Sequence, residues 1–158
     1  MKRPVLLNLT AASLAFGALG TAVSLQWAWN LQPCTMCILQ RYVLLLLGLL
    51  ALVRIRWPGR ELASATRAVA TLVAAVGVLA SLRVQWAISV PSVSCGRDKV
   101  AAILNNLPWV DAWPSMFEAT GVCGDQVPPV LGIPFHGWSA LLVLVVLVLT
   151  WCPARRCV

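Results

Sequence analysis

Two thiols at C-x-x-C spacing, Cys34 and Cys37 in the stretch QPCTMCILQRY, lie where one apolar segment ends and the next begins, and Arg41 follows the second thiol by one helical turn. The spacing alone fits zinc sites, haem attachment and thioredoxin-like redox centres equally. Its position at a membrane edge favours dithiol chemistry. On a helix Cys37 and Arg41 share one face, and both the guanidinium and the positive helix end favour thiolate over thiol. The thiolate is the species that disulfide exchange requires. Arg41 also fits a snorkelling interfacial residue, but it sits beside the thiol at the end where positive charge is sparse.

The elements that must position these residues are membrane spans. The chain has 158 residues, 60% of them hydrophobic and 11% charged, with a mean hydropathy of +0.85, far from the ~25% charged residues of soluble domains. Four apolar segments approach the ~20 residues needed to cross a bilayer: residues 5–30, 38–53, 68–88 and 135–151. The second and fourth are short and require thinning of the bilayer or extension by flanking residues. The expected fold is an all-α membrane protein, an antiparallel four-helix bundle forming one domain over residues 1–158.

Charge sets the orientation. Lys2 and Arg3 precede the first span, Arg54, Arg56, Arg60 and Arg67 crowd the link between the second and third, and Arg155 and Arg156 follow the fourth. Both termini are therefore expected inside. The net charge of +7 then reports topology, and a nucleic-acid partner is not indicated. The apolar run after the basic N-terminus continues past Trp27, longer than a signal-peptide core of about 7–15 residues. It reads as a retained anchor.

This orientation puts Cys34, Cys37, Cys95 and Cys123 outside, where disulfides persist. The first outer loop is short, residues 31–37; the second covers 91–134 and holds Cys95 and Cys123. Within it, Val100, Ile103, Leu104 and Leu107 recur at helical spacing, followed by Trp109, Val110, Trp113, Met116 and Phe117. One or two short helices are expected there, either lying in the interface with indoles at headgroup depth or forming a small core under a lid. Either arrangement holds the loop near the membrane.

Zinc competes for the four outer cysteines, but structural zinc sites usually pair two close knuckles, whereas 28 positions separate Cys95 from Cys123. Haem attachment of the c type needs His after the second cysteine, where this chain has Ile38. Strained or exposed bridges are labile, which argues for turnover at Cys34/Cys37. For Cys95/Cys123 the spacing leaves structural and catalytic roles equally open. The competing class is a non-enzymatic membrane protein whose outer cysteines are structural or bind metal.

Taken together, the four spans, PCTMCILQR, the second pair bracketing LPWVDAWPSMFEATGVC, and the LG and Trp138 leading into the last span resemble the disulfide bond formation protein B (DsbB) family of bacterial inner-membrane thiol oxidases. The resemblance covers nearly the whole chain. It implies that Cys34 and Cys37 lie next to a bound quinone, ubiquinone or menaquinone, with Cys37 facing the ring, and that Arg41 takes part in quinone binding. It further implies that Cys95 forms a mixed disulfide with a soluble periplasmic thiol oxidase, DsbA, and that Cys123 passes electrons on through Cys34. DsbA has an established potential of about −120 mV against below about −300 mV for structural disulfides, a gap of roughly 8 kcal/mol for two electrons. A terminal acceptor of higher potential is therefore needed.

The chain departs from the family pattern at Pro128 in CGDQVPPVLG, at the FHGW of residues 135–138, and at RVQWAISVP, where Gln85 and Trp86 replace the usual Leu-Gln register. These changes fall near the implied quinone pocket. His136, the sole histidine, stands at the outer edge of the fourth span as an interfacial residue or a proton shuttle. Arg83 either snorkels or lines the pocket. Cys152 and Cys157 face the reducing side and are expected to be inert thiols.

Overall fold

Helix α1, Arg3–Ala28, is apolar on nearly every side, as a helix bathed in lipid must be. It ends in a Schellman motif: Leu31 N–H bonds Gln26 O at 3.0 Å, Asn30 N–H bonds Trp27 O at 3.4 Å, and Asn30 takes the left-handed conformation at φ 49°. Asparagine tolerates this better than most residues. The stop turns the chain sharply back into the first outer loop.

The computed structural model describes residues 3–90, 99–121 and 132–151. Cys95, Cys123, Pro128, Cys152 and Cys157 lie outside the described residues. Helix α2 is Thr35–Arg56 and α3 is Arg60–Ser89, separated by Trp57, Pro58 and Gly59. The proline cannot continue α2, and Gly59 caps the start of α3. Because the helix starts at this break, α3 begins eight positions before the expected crossing segment at residue 68, with a polar turn, RELASATR, projecting past the apolar part. Two short helices follow, α4 at Lys99–Asn105 and α5 at Pro114–Phe117, and α6 closes the bundle at Phe135–Trp151.

Three of these helices are long and apolar enough to cross a membrane, and α6 is a shorter apolar helix of 17 residues. At 1.5 Å per residue α6 spans about 26 Å against a hydrocarbon thickness of about 30 Å. The protein is a helical, multi-pass membrane bundle. Around it, α1 packs on α2, α2 on α3, α3 on α6, and α6 back on α1.

The centre is built from small and branched residues, Ala11, Ala15, Leu47, Ala70, Ala74, Val143 and Val146, all nearly inaccessible. Large residues such as Leu72, Leu79, Leu82 and Val148 point outward. This inversion suits lipid, where close backbone approach and dispersion replace the hydrophobic effect between helices. At Gly77 the approach is so tight that a Cβ would stand 2.8 Å from Val43 Cγ1.

The aromatic stretch of the long loop divides between core and surface. Val110, Met116 and Phe117 join the bundle core, whereas Trp109, Trp113 and Ile103 are exposed. Phe117 stacks on Tyr42 with ring centroids 5.0 Å apart, and Trp109 Nε1 donates to Tyr42 Oη at 2.8 Å. One residue of α2 thus anchors both halves of the lid.

Candidate functional site

Cys34 is the N-cap of α2: its backbone is extended (φ −76°, ψ 164°) and its Sγ accepts the Cys37 N–H at 3.3 Å. Ser, Thr, Asp and Asn usually fill this role. Here sulfur does so, and the capping geometry folds Cys34 Sγ back over the first turn to 2.7 Å from Cys37 Sγ. The two sulfurs are not bonded to each other in this structure. They stand within about 0.7 Å of the ~2.05 Å of a disulfide.

The two thiols face different surroundings. Cys34 is 4% exposed and packs against Ala80, Val84 and Ala87 of α3. Its hydrogen bond with Cys37 and then its burial push the Cys34 thiol far above the ordinary thiol range, so it is the member that holds the proton. Cys37 lines a cavity of about 540 Å³ between α1, α2 and α6. Leu14, Leu25, Leu44 and Leu142 give that cavity apolar walls, and Gln40, Arg41 and Trp138 border it with Cys37.

Arg41 is 7% exposed. Its Nη1 donates to Ser115 O at 2.9 Å and Met116 O at 3.2 Å, and its Nη2 donates to Gln26 Oε1 at 2.6 Å. The guanidinium therefore joins α1, α2 and α5 while lining the cavity next to Cys37. Sequence reasoning had assigned it the thiol and the quinone; its attachment to the outer loop emerges only from the fold.

On the other side of the pair, Cys34 forms a parallel bridge with Gly121. Pro33 O accepts Thr120 N–H at 3.1 Å and Gly121 N–H at 3.0 Å. Gly121 stands two positions before Cys123 in the chain.

The remaining residues singled out from sequence are peripheral. His136 Nε2 pairs with Gln85 Oε1 at 2.7 Å, tying the start of α6 to the end of α3. Arg83 lies over the Trp86 ring at 4.8 Å and does not line the main cavity. Gln26, Gln40 and Asn105 were not anticipated. Gln26 and Gln40 are polar residues within membrane spans, a recognised sign of a structural or functional role. Gln40 Nε2 bonds Ser81 Oγ at 2.7 Å, a buried link between α2 and α3.

The family model for disulfide bond formation protein DsbB matches residues 3–152. Among curated proteins, disulfide bond formation protein B 1 of Pseudomonas syringae pv. syringae is 38% identical over 135 residues, covering 85% of this chain and 78% of the relative. Disulfide bond formation protein B of Pseudomonas syringae pv. tomato is 36% identical, covering 96% and 88%. That of Cupriavidus metallidurans is 34% identical, covering 90% and 86%. No solved structure matches. With a capped dithiol at the head of a membrane helix and a match that runs almost from end to end, the chain belongs to the disulfide bond formation protein B family, membrane proteins of disulfide-forming oxidoreduction.

Proposed function

We propose that the protein reoxidises a periplasmic, DsbA-like thiol oxidase and delivers the electrons to quinone in the bilayer. One observation carries this reading: the two cysteines connect in two directions, Cys37 lining an apolar cavity beside Arg41 and Cys34 pairing through its backbone with the loop segment at Gly121. A relay between a water-soluble protein and a lipid-soluble acceptor needs that division.

The cavity suits the acceptor. Its volume of about 540 Å³ lies in the ~300–1,000 Å³ range of small-molecule sites. Apolar walls suit an isoprenoid tail, and Arg41, Gln40 and Trp138 at its border suit a ring with carbonyl oxygens. A quinone held there would supply a two-electron, two-proton acceptor. Cys37 presents its sulfur to the cavity, Arg41 donates hydrogen bonds and positive charge next to that sulfur, and Cys34 retains its proton until exchange demands it. The Leu side chains keep water out.

In the outer half of the relay, the partner's dithiol reduces Cys95/Cys123, and Cys123 then reduces Cys34/Cys37. Two partner thiols become one disulfide while two electrons and two protons pass inward. Arg54, Arg56, Arg60 and Arg67 near the opposite ends of α2 and α3 support cytoplasmic termini and periplasmic cysteines in a bacterial inner membrane.

The test is quinone reduction by purified protein with reduced DsbA as donor, comparing wild type with Cys34→Ser, Cys37→Ser, Cys95→Ser and Cys123→Ser. Turnover in wild type and loss of steady-state flux in each variant is the expected result. Dithiothreitol in place of DsbA separates the failures. Quinone reduction with dithiothreitol alone means a different protein partner, and none with either donor overturns the redox reading.

A further inference from the structure

We propose that Gly121, held by Gln32, Pro33 and Asn105, is a positioning residue that fixes where the second cysteine pair delivers its electrons. The proposal rests on the Cys123-to-Cys34 relay stated above. In that step a Cys123 thiolate attacks Cys34 Sγ of the oxidised first pair; the Cys34–Cys123 bond forms, the Cys34–Cys37 bond breaks, and Cys37 leaves with the electron pair. A Cys95 thiolate then attacks Cys123 Sγ. The Cys95–Cys123 bond forms and Cys34 leaves with the electron pair. The two protons released by Cys95 and Cys123 balance those taken up at Cys34 and Cys37.

Cys34 is 4% exposed beneath α3, so a thiol arriving from solution has almost no surface to attack. A thiol on a chain already seated at the Cys34 backbone has an advantage that is one of effective concentration. The structure builds that seat with unusual redundancy. Asn105, at the end of α4, clasps Ala119 both ways: Nδ2 donates to Ala119 O at 3.0 Å and Oδ1 accepts Ala119 N–H at 2.9 Å. Thr120 Oγ1 donates to Gln32 Oε1 at 2.5 Å. Thr120 and Gly121 both donate to Pro33 O, and Gly121 bridges to Cys34.

Glycine is required here by contact. The φ of Gly121 is not positive, so its backbone conformation is open to other residues. A Cβ at this position would stand 2.2 Å from Gln32 O and 2.8 Å from Gln32 C. Both obstacles are backbone, directly before Pro33, and they cannot swing aside as a side chain would. Any side chain at position 121 therefore pushes the segment that continues to Cys123 away from Cys34. The clash is with Gln32 in the first loop, so the Cys95–Cys123 equilibrium is expected to be indifferent to it.

The experiment measures two equilibria against glutathione in the purified full chain. In a Cys37→Ser/Cys95→Ser background the Cys34–Cys123 bond is titrated, giving the effective concentration of one thiol at the other. In a Cys34→Ser/Cys37→Ser background the Cys95–Cys123 bond is titrated the same way. Gly121→Ala is expected to lower the first at least roughly tenfold and Thr120→Val and Asn105→Ala a few-fold, with the second unchanged in all three. General destabilisation of the fold lowers both equilibria together, which overturns a positioning role, as does a Gly121→Ala first equilibrium equal to that of the unsubstituted background. Where Gly121→Ala does not fold, Asn105→Ala and Thr120→Val decide by the same comparison. If the unsubstituted background forms no Cys34–Cys123 bond, the relay itself fails, an outcome distinct from a bond that forms and ignores Gly121.

Discussion

Replacing Arg41 by alanine removes three hydrogen bonds of a buried cation at once, two to α5 carbonyls and one to Gln26. Hydrogen bonds to charged groups contribute about 1.5–3 kcal/mol each, so the two loop contacts bound the loss of docking at ~3–6 kcal/mol. Water entering the space left by the side chain recovers part of this, leaving about 2–4 kcal/mol. The amides of Met116, Phe117 and Glu118, bonded to Trp113 O and Pro114 O, report whether α5 stays docked. At about 1.4 kcal/mol per decade, their hydrogen exchange in Arg41→Ala should quicken by about 30- to 1,000-fold. Peptides from the middle of α3 should not change. Arg41→Lys, which keeps the charge and loses the planar fork, should fall between. Exchange mass spectrometry in detergent or nanodiscs measures both regions together. Unchanged exchange at residues 116–118 in Arg41→Ala would refute the assignment of Arg41 as the latch of the outer loop. With α5 released in Arg41→Ala, electron flow from a protein donor should suffer along with quinone use.

Two further outcomes follow from the packing and the thiol pair. In the reduced protein at pH 8, Cys34 should alkylate at least about tenfold more slowly than a solvent thiol, because only thiolate reacts and Cys34 is buried with its pKa raised first by the Cys37 hydrogen bond; mass-spectrometric counting of label at each cysteine checks this, and a Cys34 rate matching free cysteine contradicts it. Gly77→Ala should lower stability by about 1–3 kcal/mol through overpacking against Val43, whose Cγ1 is 2.8 Å from the new Cβ position. The added change Val43→Ala should recover most of it in a detergent thermal melt, and additive losses would show that the contact is not the cause.

Much of the bundle is legible in the linear chain because lipid imposes a simple rule: a segment that crosses must be helical and apolar. Pro58 and Gly59 announce the break between α2 and α3. The dithiol and Arg41 are equally legible, because helical periodicity puts residues four apart on one face. The exact start of α3 at Arg60 was not, since a helix can project beyond the apolar stretch that hydropathy detects. Nor was the division of the outer-loop aromatics between core and surface, because Trp109 and Val110 are neighbours in sequence and only the docking of α4 and α5 on Tyr42 and Ile38 sorts them.

The sequence by itself determined a multi-span helical membrane protein with a C-x-x-C at the head of a span, since composition, period and spacing are local properties. Tertiary structure decided that Cys37 lines the cavity while the Cys34 backbone pairs with Gly121, that Arg41 ties α5 to Gln26, and that a side chain at position 121 would meet the Gln32 backbone. Those facts depend on contacts between segments far apart in the chain, such as Thr120 with Gln32, 88 positions away. No local pattern encodes such a contact, because the steric demand on position 121 comes from a backbone carbonyl that folding alone brings near.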